Sequence, residues 1–163
     1  MLRHINAAEH WDLVVDDDGS GEIADIVAVR VDGNDLVIKL IHCKYSSEDS
    51  AGARVGDLYE VCGQAQKCVR WRRDIGIFFQ HLIRRERRRQ ERGARSGLEI
   101  GTVEKIYEIE ERARLLVPRV TVAIAQPGLS QQRASESQLH LLACTQVYLY
   151  ETAFSDFEVY CNS

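Results

Sequence analysis

One carboxylate stands alone inside an apolar run, and a polar pair closes the apolar run that follows. The first run is Glu22-Ile23-Ala24-Asp25-Ile26-Val27-Ala28-Val29. The second is Leu36-Val37-Ile38-Lys39-Leu40-Ile41-His42-Cys43-Lys44-Tyr45-Ser46, with Val31-Asp32-Gly33-Asn34-Asp35 between them. Residues two apart on an extended strand share a face, so His42 and Lys44 project together and Cys43 turns the other way. Antiparallel pairing of the two runs brings Asp25 to the same end. An acid within Ala-Asp-Ile-Val is costly to bury without a positive charge beside it. A hard cation such as Mg²⁺, held by the Asp25 oxygens and the backbone carbonyl of Cys43, would supply that charge. Lys44 would orient an attacking water or stabilise charge on a phosphate, while the cation polarises the phosphoryl oxygen. The plainer alternative pairs Asp25 with Arg30 or Lys39 in the core and treats Lys44 as an ordinary strand end.

The elements that must position these groups are legible from periodicity. His10–Asp17 reads as a first strand, and Asp16-Asp17-Asp18-Gly19-Ser20-Gly21 as a hairpin turn in preference to a cation loop. Glu22–Val31 and Leu36–Tyr45 are the second and third strands. Ser46–Gly52 is a polar loop. A helix begins near Ala53, with Val55, Leu58, Cys62, Ala65 and Val69 on a buried face and Asp57, Glu60, Gln64 and Lys67 on a polar stripe. Helical character resumes over Ile75–Ile83 and runs into an arginine cluster that Gly93 and Gly97 stop. Thr102–Leu115 is a further helix ended by Pro118. Val120–Ala125 is a strand buried on both faces and ended by Pro127-Gly128. Ser135 and Gln138 form a capping box for a helix through about Thr152, and Phe157–Cys161 is a last strand. Hairpin strands first and helical crossovers later make an α/β layout.

Bulk composition narrows the classes. The 163 residues, 45% hydrophobic and 28% charged, suffice for one domain with its own core. No apolar run reaches the length of a membrane span, and Met1-Leu2-Arg3-His4 lacks the order of a signal peptide, so a soluble cytoplasmic chain is expected. The five cysteines (43, 62, 68, 144, 161) include no CxxC pair and no zinc spacing, and are read as structural. Residues 84–95 hold seven arginines and two glutamates, a net +5 against −9 for the remainder, within a formal total of −4. Such a segment is either a phosphate-contacting surface, through Arg84, Arg85, Arg87, Arg88 and Arg89, or a solvated helix end. Tyr45 and Trp71 are of a type that stacks on bases; Trp71, within Arg70-Trp71-Arg72-Arg73, equally suits a core aromatic whose neighbours snorkel. His4, His10, His81 and His140 show no partner spacing.

Asp25 in an apolar strand, Lys44 closing the next strand and Gln64 on the following amphipathic helix resemble the PD-(D/E)xK restriction-endonuclease-like nuclease superfamily. The likeness covers most of the chain and extends to nuclease-type domains attached to bacterial helicases and phage-defence proteins. It implies a three-layer α/β core with a mixed central sheet flanked by helices, and Mg²⁺- or Mn²⁺-dependent hydrolysis of DNA. In such enzymes the first acid binds metal, a second acid completes the site, the lysine assists, and a glutamine or acid from the next helix contributes. The resemblance further implies contact with a helicase or ATPase domain and a possible homodimer. His42 stands where the second acid belongs. Three arrangements follow: His42 ligates the metal, better for Mn²⁺ than for Mg²⁺; the carboxylate has moved to Glu60, beside Gln64; or the domain binds nucleic acid or docks within a larger machine without cutting. The superfamily also opens with a helix where only about one turn fits before His10, as expected of a single domain excised from a longer protein.

Overall fold

In a computed structural model, residues 10–45 and 55–162 are described. Three strands, β1 (Leu13–Asp16), β2 (Ile26–Asp32) and β3 (Asp35–Cys43), form an antiparallel meander. Gly33, at φ +57°, supplies the left-handed residue the tight β2–β3 turn requires. Helices α1 (Gly56–Lys67), α2 (Val69–Arg73) and α3 (Ile75–Glu91) follow, then β4 (Leu98–Ile100), α4 (Val103–Ala113), β5 (Val117–Ser130), α5 (Glu136–Ala153) and β6 (Asp156–Asn162). The six strands make one mixed sheet in the order β4-β1-β2-β3-β5-β6, with β5 parallel to both β3 and β6. The fold is α/β, a mixed sheet flanked by helices. Among the described residues no helix is long and apolar enough to cross a membrane.

Strand alternation divides the core. Val27, Val29, Leu36, Ile38, Leu40, Val120, Val122 and Ile124 point to the face where helical residues such as Leu58, Val61, Phe78, Phe79, Ile106 and Leu149 pack. Trp11, Val14, Ile26, Ala28, Ile41, Ala123 and Ala125 form a smaller cluster on the opposite face. There Lys39 is buried, pairs with Glu158 at 3.3 Å and, with Arg30, lies over the Trp11 ring.

Several boundaries depart from the periodicity. The β1–β2 connection is longer than a tight hairpin and takes Glu22–Asp25 out of the strand, because it is a tethered loop. Asp17, 0% exposed, accepts from Ile23 N at 2.8 Å and forms an ion pair with Arg85. The expected single helix to Val69 breaks at Cys68, whose N–H tightens onto Ala65 O at 3.1 Å. Asp74 then caps α3 by accepting from Ile77 N. Pro118 lies inside β5, and Pro127-Gly128 falls within a register shift between Ala125 and Ser130 instead of ending the strand. The three-residue β4 escapes periodicity. It is seated by Gly97, whose carbonyl accepts from Asp16 N at 2.7 Å; a Cβ there would stand 2.5 Å from Asp16 O. The Ser135–Gln138 capping box is present and opens α5. The expected turn before His10, the Ser46–Gly52 loop and a helix start at Ala53 lie outside the described residues.

Candidate metal centre and active site

The register of β2 on β3 ends with Ile26 opposite Ile41, which places Asp25 beside His42 and Cys43. One Asp25 oxygen accepts from Cys43 N at 2.7 Å, which ties the carboxylate to the end of β3. His42 Nδ1 lies 3.9 Å from the same oxygen. Glu22, three residues before Asp25, turns its carboxylate toward this corner and also accepts from Gly19 N at 2.8 Å. One ligand atom each from Glu22, Asp25 and His42 lies within 4.8 Å of the others. Sequence periodicity missed Glu22 because it stands in the irregular connection.

Electrostatics at this corner call for positive charge. Burial raises the Asp25 carboxyl above the usual range, the Cys43 N–H opposes that, and the Asp18 and Asp16 carboxylates add to it. Glu22 is raised for the same first reason, opposed by the Gly19 N–H and reinforced by Asp25, Asp18 and Asp17. The two cations expected as core partners of Asp25 are engaged on the opposite face, Lys39 with Glu158 and Arg30 over Trp11.

His42 is 3% exposed, and burial, helped by the charge of Lys67, lowers its pKa to about 4. The ring is therefore neutral at pH 7. Its Nε2 contacts Cys68 Sγ at 3.0 Å, and that thiol reaches Ile23 O at 3.6 Å. A thiol has one proton and a carbonyl only accepts. Both contacts are satisfied when Cys68 donates to Ile23 and His42 Nε2–H donates to sulfur. The other tautomer would aim an N–H from Nδ1 at an oxygen 3.9 Å away, too far to accept it. Nδ1 is thus left as a buried lone pair with no hydrogen-bond partner, on the Asp25 side of the ring. An orphaned imidazole nitrogen and two carboxylates crowded by their own charge are a donor set that fits a divalent cation.

The titration of His42 has a measurable consequence. The unfolded chain takes up this proton near pH 6.5 and the folded chain only near pH 4, so its contribution to stability is complete above 6.5 and is lost as pH falls toward 4. Urea midpoints of wild type and His42→Asn at pH 7 and pH 4.5 should show the wild type losing ground on acidification, by about 3 kcal/mol over the full window. Because Asp25 and Glu22 titrate in both proteins, the difference isolates the imidazole. A pH-independent difference would contradict the assignment.

Lys44 follows β3, with its N–H donating to Ala125 O at 3.0 Å. Its side chain shares the His42 face, as alternation predicts, but Nζ pairs with Glu60 Oε1 at 2.8 Å. That hydrogen bond, ahead of other causes, raises the Lys44 pKa. Glu60 therefore meets Lys44, and it is His42 that approaches Asp25. Gln64 lines a separate cleft of about 520 Å³ with Glu22, His42, Lys67, Arg70 and Trp71. Asp25 and Lys44 line another of about 530 Å³ with Asp16, Asp18 and Tyr45. The Glu22–Asp25–His42 corner is thus shared between two clefts.

The expected nucleic-acid residues separate by burial. Tyr45 is 93% exposed beside Lys44. Trp71 is instead a core aromatic, 6% exposed, with Arg70 over its ring at 4.1 Å and His81 beside it. Arg84 and Arg88 are exposed, and Arg87 donates to the Tyr107 hydroxyl. Arg85 and Arg89 face inward because the β1–β2 loop needs them. Arg85 holds the Asp17 carboxylate and donates to Ser20 O at 2.8 Å and Asp17 O at 2.6 Å, while Arg89 lies 3.9 Å from Asp17 and 3.8 Å from buried Glu86. No protein-family model, curated protein or solved structure matches this chain.

Proposed function

We propose that this protein is a metal-dependent nuclease that hydrolyses DNA phosphodiester bonds on a three-layer, restriction-endonuclease-like core. The observation that carries the reading is the corner itself: Asp25, the Cys43 N–H and His42 meet where β2 begins and β3 ends, and Lys44 lines the same open cleft as Asp25. The antiparallel β1-β2-β3 meander followed by parallel β5 supports the same reading. A divalent cation, Mg²⁺ or Mn²⁺, held by Asp25 with Glu22 and His42, would polarise a phosphoryl oxygen and lower the pKa of a water. Lys44 supplies a movable ammonium. Its ion pair with half-exposed Glu60 is of the weak, screened kind, so a substrate phosphate can displace the carboxylate and take the ammonium for its own developing charge. Tyr45 offers a stacking surface at the cleft, and Arg84, Arg87 and Arg88 reach backbone phosphates without reading bases.

The test is incubation of the purified protein with plasmid and with single-stranded DNA in Mg²⁺ or Mn²⁺. Lys44→Ala should lower the cleavage rate about 10²–10³-fold, the cost of removing one charge-stabilising donor. Absence of cleavage with either ion, or cleavage that survives Lys44→Ala and Asp25→Ala alike, sinks the enzyme reading. The alternative is a non-cleaving module that binds DNA or docks within a helicase-type or phage-defence machine. It draws support from the histidine at position 42 and the engagement of Lys44 by Glu60. It predicts DNA binding that weakens steeply with salt and no strand scission.

A further inference from the structure

The geometry points to a cation site made by Glu22, Asp25 and His42 that takes a first-row transition dication such as Mn²⁺ in preference to Mg²⁺, with Cys68 as the positioning residue that presents the imidazole nitrogen. This inference rests on reading the corner as a cation site, but not on DNA cleavage.

Three observations carry it. His42 Nδ1 is buried, has no hydrogen-bond partner and lies 3.9 Å from an Asp25 oxygen, and a ligand atom of Glu22 lies within 4.8 Å of one from each of Asp25 and His42. That distance is too long for a hydrogen bond and of the size that two ligands of one ion keep. The hydrogen-bond chain from His42 Nε2–H to Cys68 Sγ, and from the Cys68 thiol to Ile23 O, leaves the lone pair on Nδ1 and forbids the ring to turn it away. Metal-bound histidines commonly donate their second ring nitrogen to an outer partner that sets the tautomer, and here a thiol sulfur takes that part. Finally, the donor set is one nitrogen and two carboxylates. Mg²⁺ demands oxygen ligands and sheds water reluctantly, whereas first-row transition dications accept imidazole readily.

Cys68 itself is not offered as a ligand. Its sulfur faces His42 Nε2 and its proton is given to Ile23 O, so both of its polar contacts are already used.

Two direct measurements test the site. Calorimetric titration of the intact protein without DNA should show Mn²⁺ binding at least about tenfold more tightly than Mg²⁺. Pulsed EPR of the bound Mn²⁺ should show nitrogen hyperfine coupling. His42→Asn should abolish the coupling and remove the preference. If that variant fails to fold, Cys68→Ala serves in its place, because it leaves the imidazole but frees its tautomer. It should weaken Mn²⁺ about tenfold, and Cys68→Ser, whose hydroxyl can relay the same hydrogen bonds, should restore most of the affinity. Equal affinity for the two ions, absence of nitrogen coupling, or Mn²⁺ binding unchanged in both His42→Asn and Cys68→Ala overturns the inference. A protein that binds Mn²⁺ through His42 yet cuts no DNA keeps this site and loses the nuclease reading. One that cuts in Mg²⁺ without preferring Mn²⁺ does the reverse.

Discussion

Asp25→Asn is expected to abolish cleavage, by about 10³-fold or more, while leaving the protein as stable as wild type or more so. The two effects have one cause. Asparagine keeps the volume of aspartate, and its carbonyl oxygen can still accept from Cys43 N, so the strand ends remain tied. What is lost is negative charge in a half-buried corner shared with Glu22, Asp16 and Asp18, where burial already raises the Asp25 carboxyl above its usual range. A carboxyl whose folded pKa lies above its unfolded value disfavours the folded state once both are ionised, so neutralising it relieves the fold at pH 7. Each kcal/mol so gained corresponds to roughly 2–4 °C in Tm for a domain of this size. Charge needed for function and costly to stability is the signature of a site that waits for a cation. A cleavage series and a thermal melt on the same preparation check it. Loss of activity with a fall of many degrees in Tm would make Asp25 a structural acid instead.

Arg85→Ala is expected to be the most destabilising single change in the arginine cluster. Asp17 is fully buried, and Arg85 holds its carboxylate and three loop carbonyls, those of Asp17, Ser20 and Asp18. Even so, burial outweighs its partners and keeps the Asp17 carboxyl above the ordinary range. Removing the guanidinium leaves a buried charge whose main remaining compensation, among the described residues, is the Ile23 N–H and the more distant Arg89, a loss of about 3–5 kcal/mol. Arg84→Ala and Arg88→Ala, on the solvent side of the same helix, should fall within about 0.5 kcal/mol of wild type. The deficit also has a pH sign. Without Arg85 the folded pKa of Asp17 rises further, so the penalty is greatest at neutral pH and shrinks as acid protonates the carboxyl. Adding Asp17→Asn should recover part of the loss. Denaturant melts that place Arg85→Ala beside Arg84→Ala would contradict the anchoring role.

These two residues mark how far sequence patterns reach. Alternation along Leu36–Tyr45 puts His42 and Lys44 on one face, and a hairpin with Asp25 at its far end brings the acid to His42, because strand geometry has a period of two and little freedom. Ser135 and Gln138 cap α5 as their spacing implies, since a capping box is local chemistry. Glu22 and Cys68 were illegible for opposite reasons. Glu22 lies in a loop that obeys no period and is positioned by tethers from Asp17 and Arg85, 68 residues apart. Cys68 sits at a helix break, where a small apolar residue is the ordinary expectation, and only packing of α1 against β3 sets its sulfur against the imidazole.

Glu60 and the arginines show the same divide. A polar stripe on α1 says that Glu60 faces solvent near the site, but whether it reaches Asp25 or Lys44 depends on how the helix lies over the sheet. A run of arginines announces positive charge but not which members are consumed inside. By itself the sequence determined five of the six described strands, their faces and the amphipathic helices, all of which follow from local periodicity and backbone geometry. Only the tertiary structure decided that His42 and Glu22 attend Asp25, that Glu60 holds Lys44, and that Arg85 and Arg89 are anchors. Those are contacts between residues distant in the chain, chosen by burial and charge compensation that no local pattern encodes.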